Sequence, residues 1–228
     1  MPSTSLWREL LGFGLAISFS PLHIGLLLLI LLGPSPLRRG SWFVLGWLLT
    51  SAAAMALLLS VGHGLLLTME RGTDQRTGLD LLAAGGLLAL GLNGLLSSRE
   101  VTGPPAWTRR LDGFCALPLP LLLGLSAAVQ VSSPDDLFLY AKTAASLLEA
   151  GLSRPLEVVS TAFFTLFTGI LLLLPLAGLL LVGQERLVPV LQTGKGWLFA
   201  NAELIVAAIC IGLAAYLGWQ GVEGLRVG

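Results

Sequence analysis

Six apolar stretches, each about 20 residues or longer, constrain this chain more than any other feature. Their approximate bounds are 6–32, 41–66, 78–97, 116–150, 156–183 and 198–224. A helix of about 20 apolar residues crosses the hydrocarbon core of a bilayer. Only 11% of the residues are charged, against about 25% in soluble domains. We therefore predict an all-α integral membrane protein with six transmembrane helices.

The remaining composition argues against several classes of function. The formal net charge is zero, so we expect no binding to nucleic acid. The two cysteines, Cys115 and Cys210, lie outside any CxxC pattern, and no metal-ligand spacing such as HExxH is present. No nucleophile–base pair is recognisable either. We expect no catalytic residues, no cofactor and no metal site.

The two halves of the chain share a proline pattern. ISFSPLHIGLLL in the first span and VQVSSPDDLFLY in the fourth place Pro21 and Pro134 113 residues apart. With three spans in each half, equivalent helices run in opposite directions, as in the inverted repeats of many transporters. We predict a first three-helix repeat over 1–97, a connecting loop over 98–115 and a second repeat over 116–228.

Both prolines are predicted to break their helices near the bilayer midplane. Proline removes a backbone hydrogen bond and clashes with the preceding turn, and groups freed in hydrocarbon need partners in protein or in a wet cavity. A straight helix over 116–150 would also be about 52 Å long, beyond a core of about 30 Å. The alternative is that VQVSSPDD ends the fourth span and that 137–150 lies in the membrane interface. Pro175 is predicted to kink the fifth span.

Two acids follow the second proline. If the helix is broken there, Asp135 and Asp136 are intramembrane carboxylates, which are costly and expected to be functional. They then need a cation, a proton or a basic partner. Lys142 shares a helix face with Asp135, and His23 is placed to meet the acids across the repeat axis. In the interface alternative, the acids only stabilise a helix terminus and Lys142 reaches the headgroups.

The predicted substrate site gathers the polar residues around the two breaks. Ser133 and Pro134 suit the cap and the first position of a helix. Gln130 and Tyr140 flank the second break, where they either line the site or satisfy freed backbone groups. The predicted set is Ser20, Pro21, His23, Gln130, Ser133, Pro134, Asp135, Asp136, Tyr140 and Lys142.

Basic residues in the connections predict the orientation. Seven lie on one side, namely Arg38, Arg39, Arg99, Arg109, Arg110, Arg186 and Lys195. Five lie on the other, namely Arg8, Arg71, Arg76, Arg154 and Arg226. The richer side is expected to face the cytoplasm, which places both termini outside. Glu9 interrupts the first apolar run, so we interpret that run as an uncleaved membrane helix and not as a signal peptide.

Three segments carry a resemblance to a known group, namely SFSPLHIGLLLLILL, VSSPDDLFLY and WLFANAELIVAAICIGLAAYLGWQGVEGL. They resemble the GAP family, or sulfolipid-addressing proteins, within the LysE exporter superfamily, over nearly the whole chain. The resemblance implies a bacterial inner-membrane protein that moves a lipid or a small solute outward. The related disulfide-exchanging branch carries a cysteine beside each proline, where this chain has Ser20 and Ser133.

Two hypotheses follow. The first is an exporter of a lipid-linked or small polar solute, with its site at broken helices 1 and 4 and alternating access by rocking of the halves. The second is a non-transporting scaffold or assembly factor for a lipid exporter or another membrane complex. The expected partners are membrane lipids and an unknown small solute or glycolipid. Assembly as a homodimer or within a larger membrane complex is compatible with both hypotheses.

Overall fold

A computed structural model of the chain describes residues 4–64, 73–100 and 117–227. Within these ranges the ordered elements are all α-helices, which confirms the predicted all-α class. In chain order they are α1 Thr4–Ser18, α2 Pro21–Leu32, α3 Pro36–Gly64, α4 Asp74–Glu100, α5 Leu119–Val131, α6 Pro134–Glu149, α7 Arg154–Thr168, α8 Ile170–Val182 and α9 Gln184–Val227. The predicted connecting loop over 98–115 lies mostly outside the described residues.

Two helix breaks fall at the proline motifs, as predicted. α1 ends at Ser18 and α2 begins at Pro21, with a bend of 57° between them. α5 ends at Val131 and α6 begins at Pro134. Each proline stands at the start of its new helix, where a backbone N–H has no intrahelical partner to lose. The prolines therefore begin helices and do not interrupt them.

A third break lies at Gly169, and the prediction that Pro175 sets the kink of the fifth span was wrong. α7 and α8 meet at Gly169 with a bend of 66°, while Pro175 lies inside α8. Gly169 packs against α3, where an added Cβ would lie 3.0 Å from a methyl group of Leu48. Glycine has no Cβ, so it permits this close approach at the break.

Several helices are long and apolar enough to cross a membrane. α3, α9 and the Asp74–Leu96 part of α4 satisfy this requirement alone, and the bent pairs α1–α2 and α7–α8 satisfy it together. The described residues thus contain three to five candidate spans. α5 is apolar but has 13 residues, fewer than the about 20 that a span needs. The fold is that of a multi-pass membrane protein, and the count of six stays a prediction.

α4 and α9 pack as an antiparallel pair through small residues. Gly94 lies against Ala207 near one end, and Gly221 lies against Leu81 near the other. Between them, a Cβ added to Gly91 would lie 3.1 Å from the carbonyl oxygen of Ala207. Membrane helices approach closely where such small residues meet. The seam brings the first turns of α4 beside the last turns of α9.

α6 is surrounded by other helices, so the alternative that places 137–150 in the membrane interface was wrong. Six consecutive residues, 142–147, are buried, and six residues point in all directions around a helix. Phe138 packs against Gly86 of α4, and Leu148 packs against Gly62 of α3. An interfacial helix would leave one face open to headgroups.

α9 begins earlier than the predicted sixth span. The predicted spans 156–183 and 198–224 leave 184–197 as a connection, but the chain is helical from Gln184 onward. At 1.5 Å per residue the 44 residues of α9 extend about 66 Å, so the helix reaches well beyond a hydrocarbon core of about 30 Å.

Candidate functional site

A small cavity, with room for about one water molecule, lies beside both proline breaks. Its polar lining comes from Ser20 before α2, from Asp135 and Asp136 at the start of α6, and from the thiol of Cys210 on α9. Apolar side chains of α1, α4, α6 and α9 complete the wall. The structure therefore brings together three of the predicted site residues, one from the first break and two from the second.

The two acids in the cavity have different surroundings. Asp135 accepts hydrogen bonds from its own backbone N–H and from that of Asp136, at the positive end of α6. Asp136 is only 3% exposed, and its Oδ2 has no hydrogen-bond partner. An unsatisfied polar group in a buried position carries its full desolvation cost. Asp136 is thus the carboxylate that a ligand would satisfy.

His23 does not meet the acids, so the predicted contact across the repeat axis was wrong. Its Nε2 lies 3.2 Å from the carbonyl oxygen of Ser126, and its Nδ1 lies 2.9 Å from Oγ of Ser20. A carbonyl oxygen only accepts, so Nε2 carries the proton and Nδ1 of the neutral ring accepts from the hydroxyl of Ser20. The ring also packs edge-on against Trp47, with centroids 4.2 Å apart. His23 therefore positions Ser20 at the rim of the cavity, next to the buried Pro21.

Gln130 and Tyr140 bond to each other across the second break. Nε2 of Gln130 donates to the hydroxyl oxygens of Tyr140 at 2.6 Å and of Ser51 at 2.8 Å, and those two hydroxyls lie 2.7 Å apart. This triad joins α5 and α6 to α3. Neither predicted residue lines the cavity, so their role is to fix the geometry of the break.

Ser133 and Pro134 also lie away from the cavity. Ser133 occupies the cap position of α6, but its hydroxyl donates to the carbonyl oxygen of Val129 at 3.1 Å and makes no cap hydrogen bond. The predicted capping bond is therefore absent, and the hydroxyl instead satisfies a carbonyl in the last turn of α5. Pro134 is exposed at the first position of α6.

Lys142, predicted as a member of the substrate site, belongs to a second polar site and does not line the cavity. Its ammonium group forms a buried ion pair with Asp80 of α4. Nε of Arg76 lies 3.8 Å from the same carboxylate. We call this group the charged cluster, and its members are Glu9, Arg76, Asp80, Lys142, Ser146, Glu149 and Gln220.

Arg76 lies at the centre of the charged cluster and is only 2% exposed. Its Nη2 donates to Ser146 at 3.2 Å and lies 3.4 Å from Glu149 and 3.8 Å from Glu9. Ser146 in turn donates to Glu9. Side chains of α1, α4 and α6 are thus held in one buried network, which Gln220 extends to α9.

The sequence of the chain matches one known family. A sequence model of the family described as Sap, sulfolipid-1-addressing protein, matches residues 10–223. The chain belongs to this family. The match extends from α1 to the last turns of α9 and so includes the cavity and nearly all of the charged cluster. No curated protein and no solved structure matches the chain. The predicted family is confirmed, while the wider LysE superfamily stays a resemblance.

In this Sap family member the cavity and the charged cluster occupy the same faces of the same four helices. On each helix a cavity residue and a cluster residue are seven positions apart: Ala16 and Glu9 on α1, Leu87 and Asp80 on α4, Asp135 and Lys142 on α6, Leu213 and Gln220 on α9. Seven residues are close to two helical turns, or about 10.5 Å. The charged cluster therefore lies directly beyond one end of the cavity.

Sequence reasoning missed the charged cluster of this Sap protein. Arg76 was counted among the loop residues and Glu9 was used only to argue against a signal peptide. Two signals were available: an acid inside an apolar run is functional by default, and Arg76 and Asp80 are spaced i and i+4 at the start of a span. Without Arg76, the loop count becomes seven basic residues against four.

Proposed function

We propose that this protein is a membrane transporter that exports a lipid-linked or small polar solute from a site at broken helices 1 and 4. The observation that carries the proposal is the buried, unpartnered carboxylate oxygen of Asp136 in a cavity beside two helix breaks. Irregular backbone and ionisable groups at membrane depth occur where they line a substrate or ion path. Their coincidence at one cavity favours transport over a purely structural role.

The proposed arrangement has six passes in two inverted repeats, counting α1–α2, α3, α4, α5–α6, α7–α8 and α9 as one pass each. Contacts between helix ends support it. Arg39 at the start of α3 donates to the carbonyl oxygen of Leu117 just before α5, at 2.7 Å. At the other end of α3, His63 lies 2.8 Å from Glu157 of α7. Equivalent helices of the two halves then run in opposite directions, and both termini lie on one side.

The charged cluster supplies the closed end that alternating access requires. It joins α1, α4, α6 and α9 about two turns from the cavity, on the side of the termini. Ion pairs that are buried and fully desolvated hold a closed state, and their separation on rocking of the helices opens that side. In this scheme the cavity exchanges with one side at a time.

The family name favours a lipid cargo. The family is described by the addressing of sulfolipid-1. We therefore propose an envelope glycolipid of this kind as the cargo of the present chain. The protein then acts in the bacterial inner membrane, in contact with membrane lipids. The excess of basic residues in the loops away from the termini favours an orientation with both termini outside.

Complementation of a deletion strain tests the proposal. Surface glycolipid is extracted from intact washed cells and quantified against the intracellular pool. We expect the deletion to lower the surface pool, and wild-type protein and Asp74→Asn, at an exposed acid, to restore it. Asp136→Asn should remain at the deletion level with normal membrane abundance. Full restoration by Asp136→Asn would remove the site from the transport path.

The alternative is a non-transporting scaffold or assembly factor, and one surface favours it. The early turns of α9 carry an open apolar groove lined by Pro189, Val190, Thr193, Gly194 and Trp197. Such an exposed apolar surface on a long helix suits a partner protein. A scaffold predicts loss of surface lipid in the deletion, full restoration by Asp136→Asn, and co-purification of a stoichiometric partner.

A further inference from the structure

The polar lining of the cavity is entirely anionic or neutral. Asp135 and Asp136 contribute two carboxylates, Ser20 a hydroxyl and Cys210 a thiol, and none of the lining residues is basic. The nearest cations of α4 and α6, Arg76 and Lys142, face the charged cluster about two turns away. A sulfate or phosphate headgroup in this cavity would face two carboxylates and no counter-charge. The chemistry of the wall therefore selects a positive ligand.

The two acids differ in their hydrogen bonding. Asp135 is satisfied by backbone N–H groups at the start of α6, whereas Oδ2 of the buried Asp136 has no partner. The other titratable groups near Asp136 are Cys210 of α9 and Tyr140 one turn along α6. On the cavity wall, α1, the break after it and α4 contribute the apolar side chains of Ala16, Phe19 and Leu87. The negative charge of Asp136 is thus not neutralised by any of these groups.

The size and the donor set limit the ligand to a small monovalent ion. Ca²⁺ takes six to eight oxygen ligands and Mg²⁺ keeps several of its waters, whereas this cavity has room for about one water molecule beside two carboxylates and one hydroxyl. Among the described residues no group of three or more His, Cys, Asp or Glu is placed to hold a metal ion. A proton or a single Na⁺ fits in this space beside the carboxylate of Asp136.

We propose that Asp136 binds a small monovalent cation, a proton or Na⁺, and that this cavity is the coupling-ion site of the transporter and not the site of an anionic headgroup. The inference rests on the proposed transport function and assigns the ligand class of the same cavity. Ser20, held by His23, and Asp135 complete the site. The cargo headgroup then binds at broken helices 1 and 4 outside this small cavity, and occupancy of Asp136 sets which side is open.

Cation binding is measured on the purified full-length protein in lipid nanodiscs, without any cargo. For Na⁺, the unfolding midpoint is compared in NaCl and in choline chloride at equal ionic strength. For the proton, infrared difference spectra across a pH titration report the band of a protonated carboxyl group. We expect either a saturable stabilisation by Na⁺ or a titrating carboxyl band, absent in Asp136→Asn and retained in Asp74→Asn.

The outcomes separate this inference from the proposed function. A Na⁺ effect identifies the ion as Na⁺, and a titrating band without a Na⁺ effect identifies it as a proton. Neither signal, or a signal that persists in Asp136→Asn, overturns the cation site. If the cation site is overturned in this way but Asp136→Asn abolishes export, the transport function is supported while the cation inference fails. Cation binding together with full export by Asp136→Asn would instead remove the cavity from transport.

Discussion

Loss of the Lys142 charge is expected to destabilise the protein through the charged cluster. Lys142 is fully buried and pairs with Asp80, which is 4% exposed. Removal of one partner of a buried ion pair costs about 3–5 kcal/mol because the other charge stays buried without compensation. Arg76, 3.8 Å from Asp80, compensates part of that charge, so the low end applies. We expect Lys142→Met to lower the free energy of unfolding by about 3 kcal/mol, or about 100-fold in the equilibrium constant.

The double variant Lys142→Met, Asp80→Leu isolates the electrostatic cause. Methionine retains the apolar stem of lysine, and replacing both charges with apolar side chains of similar size is often neutral or stabilising. Arg76 keeps Glu9 and Glu149 as partners. We therefore expect the double variant to lie within about 1 kcal/mol of the wild type.

Equilibrium unfolding in mixed micelles, followed by helical circular dichroism, measures these differences. Arg154→Ala is the matched control, because its pair with Glu157 is exposed on the arginine side and such pairs contribute about 0–1 kcal/mol. A double variant as unstable as Lys142→Met would refute the reasoning, since packing and not charge would then set the loss. A Lys142→Met protein as stable as Arg154→Ala would refute it equally.

Three further predictions concern the helix breaks and their packing. Gly46→Val should destabilise by about 1–3 kcal/mol in the same unfolding assay, because a Cβ there would lie 2.6 Å from the carbonyl oxygen of Leu123, whereas Gly124→Val, in open space, should not. Ser51→Ala should lower the free energy of unfolding by about 1 kcal/mol, because it removes one acceptor of Gln130. The control is Ser132→Ala at an exposed hydroxyl, and equal stability of the two variants would contradict the prediction. His23→Phe keeps an aromatic ring near Trp47 but releases Ser20, so export of surface glycolipid should fall about fivefold at unchanged membrane abundance; undiminished export would show that Ser20 needs no positioning.

The breaks at the proline motifs were predictable from sequence because proline acts locally. Pro21 and Pro134 lack the N–H that a continuing helix needs, and each follows a serine that suits a cap position, so the local sequence favours the start of a new helix. The break at Gly169 was not predictable in the same way. It depends on the approach of α7 and α8 to Leu48 of α3, which is a tertiary contact. Pro175 was the stronger local signal, but it was tolerated inside α8.

The division of the polar residues between the cavity and the charged cluster also depends on tertiary structure. A helical face shared by Asp135 and Lys142 was correctly read from a spacing of seven, but the two residues use it for different sites two turns apart. The partner of Lys142 is Asp80, 62 residues away on another helix. Charge pairing between helices follows their packing, which periodicity alone does not specify. The acids of the cavity could be predicted, whereas the charged cluster beneath them required the structure.

In the proposed mechanism the helix breaks enclose a cavity that exchanges with water on the side away from the charged cluster. Cys210 lines this cavity and reports on it directly in a Cys115→Ser background. Intact membranes are treated from each side with a small, membrane-impermeant thiol reagent. The control is Leu204→Cys in a cysteine-free background, because Leu204 lies on an exposed face of α9. We expect Cys210 to react from the side opposite the termini and the control to react more slowly. A Cys210 thiol that stays unreactive from both sides would contradict it.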